Sequence, residues 1–138
     1  MTARNTSKRR LFATLGLAVG LGAAGGQTSA HHSFAAEFDI DSPIRLEGKI
    51  TEVEFINPHS WIHIDVTGDD GTVESWAIEG GTPNTLFRKG INRKTLPIGA
   101  EVIVDGYQAR DGSNKASGRD IAFPDGRKLF LEGSSPEQ

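Results

Sequence analysis

The 138-residue chain has no cysteine, one methionine, one tyrosine and two tryptophans. Without cysteine there is no disulfide framework, zinc finger or thiolate nucleophile, so stability must come from packing and any metal site must use nitrogen or oxygen ligands. A long, strongly apolar run is also missing. Residues 11–30 are uncharged but interrupted by Gly16, Gly20, Gly22, Gly25 and Gly26, whereas a membrane-spanning helix wants about 20 predominantly apolar residues. Positive charge is scarce beyond the start. Four of the 15 basic residues, Arg4, Lys8, Arg9 and Arg10, fall in the first ten, and the eleven that remain face all 18 acidic residues, a net charge of −7 for the rest of the chain. Such an acidic domain repels phosphate backbones, which argues against nucleic acid as its ligand.

The start has the order of an export signal. A basic segment ending in Arg9-Arg10-Leu11-Phe12 precedes a weakly apolar Gly/Ala-rich stretch and the small-residue ending Thr28-Ser29-Ala30. This reads as a twin-arginine-type signal peptide cleaved near Ala30, which implies the twin-arginine export machinery and a signal peptidase as partners, a periplasmic location and no stable membrane insertion after cleavage. The working molecule is then residues 31–138, a length suited to one core. The polar tail, residues 133–138, is expected to fray.

Within that domain the sequence reads as strands separated by turns. From Ile44 the apolar positions alternate through Leu46, Gly48 and Ile50, then shift phase to Val53 and Phe55, the mark of a long strand with a bulge or bend. Residues 60–67 alternate Ile62, Ile64 and Val66 against Trp61, His63 and Asp65, and Gly68-Asp69-Asp70-Gly71 turns the chain into a third strand at 72–79. Thr82-Pro83 through Arg88-Lys89-Gly90 has a cap, a first-turn proline, basic residues at the end and a stop, and so predicts a two-turn helix. Runs at 101–107, 119–123 and 128–131 complete the strands. Three strands, a helix and two or three strands give an all-β domain with one short helix, a small OB-fold-like antiparallel β-barrel; another small barrel or an open sandwich fits the same elements.

The residues able to carry chemistry are few. All four histidines fall in two groups, His31-His32 and His59 with His63 in Asn57-Pro58-His59-Ser60-Trp61-Ile62-His63. Cleavage after Ala30 would give His31 both a free α-amino group and a ring nitrogen, a bidentate chelate for a nitrogen-preferring metal, of which copper(II) heads the affinity order. His32, His59 or His63 would add further ligands. In a straight strand the α-carbons of residues 59 and 63 lie about 13 Å apart, so one shared site requires residues 57–59 to turn back. The alternatives are a loose chain start for His31 and His32 and a half-exposed His63 bonded to Asp65 or a loop.

Trp61, Trp76, Phe87 and Tyr107 read as packing aromatics. Ser33, Ser60 and Ser75 lack a nucleophile elbow, Gly80-Gly81 is too short to cradle phosphate, and Glu52 with Glu54 suits a solvated strand face. No catalytic residue follows, and an enzyme is the less favoured reading. The foremost expectation is a periplasmic copper(II)-binding domain using His31, His32, His59 or His63. The second is a metal-free OB-like module whose face around Trp61 and Asn57, with the loops at 57–60 and 111–116, grips a partner protein, saccharide or small ligand. The third is a copper oxidase built on an amino-terminal histidine brace.

Taken together, His31-His-Ser-Phe34, Leu46-Glu-Gly48, Asn57-Pro58-His59-Ser-Trp61, Trp76-Ala-Ile-Glu79-Gly80-Gly81, Gly106-Tyr107 and Asp111-Gly-Ser-Asn114 resemble a family of small exported bacterial proteins known only as a domain of unknown function. The resemblance implies export and a compact β domain. It brings no activity and no site residue.

Overall fold

A computed structural model describes residues 34–135, which lie in one compact unit. Residues 1–33, which include the expected signal peptide, His31 and His32, and residues 136–138 lie outside the described residues. The described elements run α1 (Phe34–Glu37), β1 (Phe38–Glu54), β2 (Trp61–Thr67), β3 (Val73–Glu79), α2 (Pro83–Arg88), β4 (Glu101–Ala109), β5 (Lys115–Ala122) and β6 (Lys128–Phe130).

The six strands form one mostly antiparallel sheet in the order β3-β2-β1-β4-β5-β6, and a short parallel pairing of β3 with β5 closes five of them into a ring. Length and curvature in β1 make the closure possible. Its first part pairs with β4 from Phe38 to Lys49 and its last part with β2 from Lys49 to Glu54, with the register slipping between Ile50 and Glu52. That slip is the bulge expected from the phase shift near Gly48, and it turns the strand from one neighbour to the other. The OB-like expectation therefore holds in element order, with the main helix placed between the third and fourth strands. Among the described residues no helix is long and apolar enough to cross a membrane.

Alternation sorts the side chains. Ile62, Ile64, Trp76, Ile78, Val102 and Val104 point inward and are buried, as the period of two predicts. Helix α2 plugs one end with buried Leu86, and Ile91 and Leu96 follow it into the core. Thr82 caps the helix by accepting from Thr85 N at 3.2 Å, and Gly90 leaves it at φ 77°. A smaller cluster of Phe34, Phe38 and Ala109 with Tyr107 anchors α1 at the far end of β4. This one-turn helix has no signal in the sequence periodicity. Trp76 is packed as expected, whereas the Phe87 ring is half exposed and packs at a tilt against Phe55 with 4.8 Å between centroids.

Of the polar tail, residues 133–135 are described, and Gly133 and Ser134 form a strap across the outside of β3 and β5. Gly133 N donates to Gly118 O at 3.1 Å, and Ser117 Oγ donates to Ser134 O at 2.6 Å. A Cβ on Gly133 would sit 2.6 Å from Glu79 O, so only glycine allows this approach.

Candidate functional site

The outer face of β2 and its neighbours carries the sequence-predicted residues, and the register determines what each of them meets. Trp61 lies between Glu54 of β1 and Glu79 of β3, His63 between Glu52 and Ala77, and Asp65 between Lys49 and Ser75. The parallel pairing then places Lys115 beside Ala77 and Ser117 beside Glu79. The end of the loop after β4 joins the edge of β3, since Ala77 N donates to Asn114 O at 3.0 Å. Within the loop, Ser113 hydrogen bonds hold the Asp111 carboxyl below its usual range.

His63 is half-buried and its Nε2 lies 2.9 Å from Glu54 Oε2. Of the two alternatives for His63, Asp65 or a loop, neither is its partner. The Asp65 carboxylate instead accepts from Ser75 Oγ at 2.6 Å, because its cross-strand neighbour is Ser75. Glu52 lies directly across from His63, while Glu54, across from Trp61 and 40% exposed, reaches His63 on the diagonal.

Residues 57–59 turn away from the strand line after a cis Asn57-Pro58 bond. The turn carries His59 toward β3. Its Nδ1 is buried, has no hydrogen-bond partner among the described residues and lies 3.8 Å from Glu79 Oε1, while the side chain as a whole is 23% exposed. Ser60 fixes the adjoining backbone, donating to Gly81 O and accepting from Gly80 N. The structure thus gives the two histidines separate carboxylates on opposite neighbours of β2. Among the described residues no group of three or more His, Asp or Glu side chains could hold a metal ion, so any metal site needs ligands beyond them.

Glu79 is the functional candidate that sequence reasoning missed. It ends β3 on the outer face, yet its side chain is only 3% exposed because the strap covers it. Its Oε1 accepts from Ser134 N at 2.9 Å and from Ser134 Oγ at 2.6 Å. Strand alternation marks Glu79 as outward, and nothing near it in sequence announces a cover arriving from Ser134. Asn57 is exposed and Trp61 half-buried, while Ser60 is fully buried and unsuited to act as a nucleophile. A cleft of about 930 Å³ opens elsewhere, between Gly48, Asp65, Val73 and Ile98, and contains none of the histidines.

A family model described as Family of unknown function (DUF6152) matches residues 19–118. No curated protein and no solved structure matches the chain.

Proposed function

Since the chain belongs to that family of unknown function, its role must be read from the site, and we propose that the domain is an exported metal-binding protein, for copper(II) foremost, using His59 and the processed amino terminus at His31. The observation that carries this reading is the carboxylate beside each described histidine: Glu79 Oε1 at 3.8 Å from His59 Nδ1, and Glu54 Oε2 at 2.9 Å from His63 Nε2. Histidines that ligate metals commonly turn one ring nitrogen to a carboxylate, which fixes the ring and raises the basicity of the other. His59 offers its Nε2 in this way, backed by a carboxylate that solvent hardly reaches.

His31 adds the chelate that the described residues lack. It precedes Phe34 by three residues, about 10 Å of chain at most. Phe34 packs edge-on against Tyr107 with 5.4 Å between ring centroids, and Tyr107 pairs across to Ser117, the neighbour of Glu79. Signal cleavage near Ala30 supplies the free amine, so in this reading metal enters after export.

A second reading draws on the face itself. Exposed Ile56, half-buried Trp61 and the loop seated at Asn114 border the side on which OB-like domains take ligands, which suits a metal-free module. Copper(II) titration separates the two. Protein beginning at His31 should bind at least about tenfold more tightly, ~1.4 kcal/mol, than protein extended by Gly-Ser. The variant His59→Ala should lose a similar amount and His63→Ala much less. Equal affinity of the native and extended forms would remove His31 from the site, and absence of saturable binding in every form would leave the metal-free module.

A further inference from the structure

We infer that the carboxy-terminal strap is a positioning element for His59: Ser134 clamps Glu79, and Glu79 holds the imidazole with its proton on Nδ1, leaving Nε2 bare for a ligand. The inference deepens the proposed site, and only the identity of the ligand rests on that reading.

A carboxylate as buried as Glu79 is costly unless hydrogen bonds or an opposite charge compensate it. Among the described residues the basic side chain that faces it is His59, at 3.8 Å. The two bonds from Ser134 converge on Oε1, the same oxygen that faces His59. The ring nitrogen opposite is buried as well and has no hydrogen-bond partner among the described residues. Were Nδ1 the unprotonated nitrogen, two lone pairs would confront each other with no donor between them. With the proton on Nδ1 the contact becomes attractive and the buried donor is aimed at an acceptor. Nε2 then carries the free lone pair. A histidine in water has no such bias imposed on it.

The strap is built to keep this arrangement. Gly133 and Ser134 are tied to β5 through Gly118 O and Ser117 Oγ, and Leu131 O accepts from Gly81 N at 2.7 Å on the β3 side. Lys89 and Glu132 form an ion pair just before the strap. A Cβ on Gly133 would meet Glu79 O and Ser117 Oγ within 2.7 Å. Gly133→Ala therefore displaces the strap, whereas Ser134→Ala removes one donor and leaves the path of the chain unchanged.

The test reads the tautomer in metal-free, 15N-labelled protein as isolated from the producing cells, by long-range 1H–15N correlation at one pH where the ring is neutral. His59 should appear mainly as the Nδ1–H form. That form should become minor in Glu79→Gln, Gly133→Ala and Ser134→Ala and should persist in Ser134→Thr, which keeps the hydroxyl. His63, beside Glu54, should not change in any of them. Copper(II) affinity, measured in parallel, should fall at least about tenfold in Glu79→Gln, the range seen when the carboxylate partner of a ligand histidine is lost. A wild-type His59 in the Nε2–H form, or a tautomer that ignores Ser134→Ala and Gly133→Ala, would overturn the inference. Tautomers that follow the variants while copper fails to bind would uphold the strap's role and reject the metal reading alone.

Discussion

His63 and Asp120 illustrate how differently a charged contact behaves with exposure. The His63–Glu54 pair is 31% and 40% exposed, so solvent screens it and its energetic worth is small. His63→Ala should change unfolding free energy by no more than about 0.5 kcal/mol, measured by urea denaturation. Asp120 is different, with a side chain 3% exposed, Arg119 Nε 3.0 Å from one oxygen and Lys128 Nζ 3.1 Å from the other. Burial opposes its charge, but the bonds from Arg119 and Lys128 outweigh that and hold its carboxyl below the ordinary range. The folded-state pKa is depressed, so the stabilisation is full above the unfolded value of about 3.9 and is lost as pH falls through the folded value. Asp120→Asn should accordingly destabilise by about 1–3 kcal/mol at pH 7, with the gap to wild type narrowing under acid. A gap that stays constant from pH 7 to below pH 3 would show that the loss comes from packing rather than charge.

Elements whose instructions are local were legible in the sequence, and those written at a distance were not. Helix α2 is local: Thr82 caps, Pro83 starts and Gly90 stops it. Thr82→Ala should cost about 1 kcal/mol, seen as a lower urea midpoint with unchanged slope, and Thr82→Ser should restore most of it. Strands β2 and β3 were equally plain, because each buries one face and exposes the other. The start of β5 gave no such signal. Ala116, Ser117 and Gly118 are all buried, between the core and the strap, and small residues covered on both sides leave no alternation. A Cβ on Gly118 would come within 2.7 Å of Ile78 and Leu131, so its glycine records close packing rather than a loop. The course of the strap is not legible for a related reason: its composition is that of a polar tail, and the acceptor that Ser134 meets lies far away in sequence at Glu79. The same logic divides the site. The outward placing of His63 follows from alternation, but its partner depends on where β1 slips register.

At the scale of the molecule, a closed ring of strands with no cysteine needs no oxidising compartment in order to fold. It can fold in the cytoplasm, which the proposed twin-arginine export of a finished domain would require, and unfolding should be cooperative and indifferent to reductant. The proposed metal site then imposes an order of events. Under that proposal His31 has an amide nitrogen while the signal peptide is attached and an amine only after cleavage, so copper(II) loading of this kind would follow export. Protein recovered from the periplasm should have a mass corresponding to an amino terminus at His31, and replacing Arg9 and Arg10 together by lysine should hold the precursor in the cytoplasm. In that precursor the ring and strap should still form, because every residue of the Ser134–Glu79–His59 arrangement lies far from the signal in sequence. Its copper(II) affinity should match that of the Gly-Ser-extended domain rather than that of the mature protein, which ties processing to binding in one comparison. A full-length form retained in membranes would defeat both the cleavage and the terminal chelate, and would leave the face around Trp61 as the surface that a ligand must use.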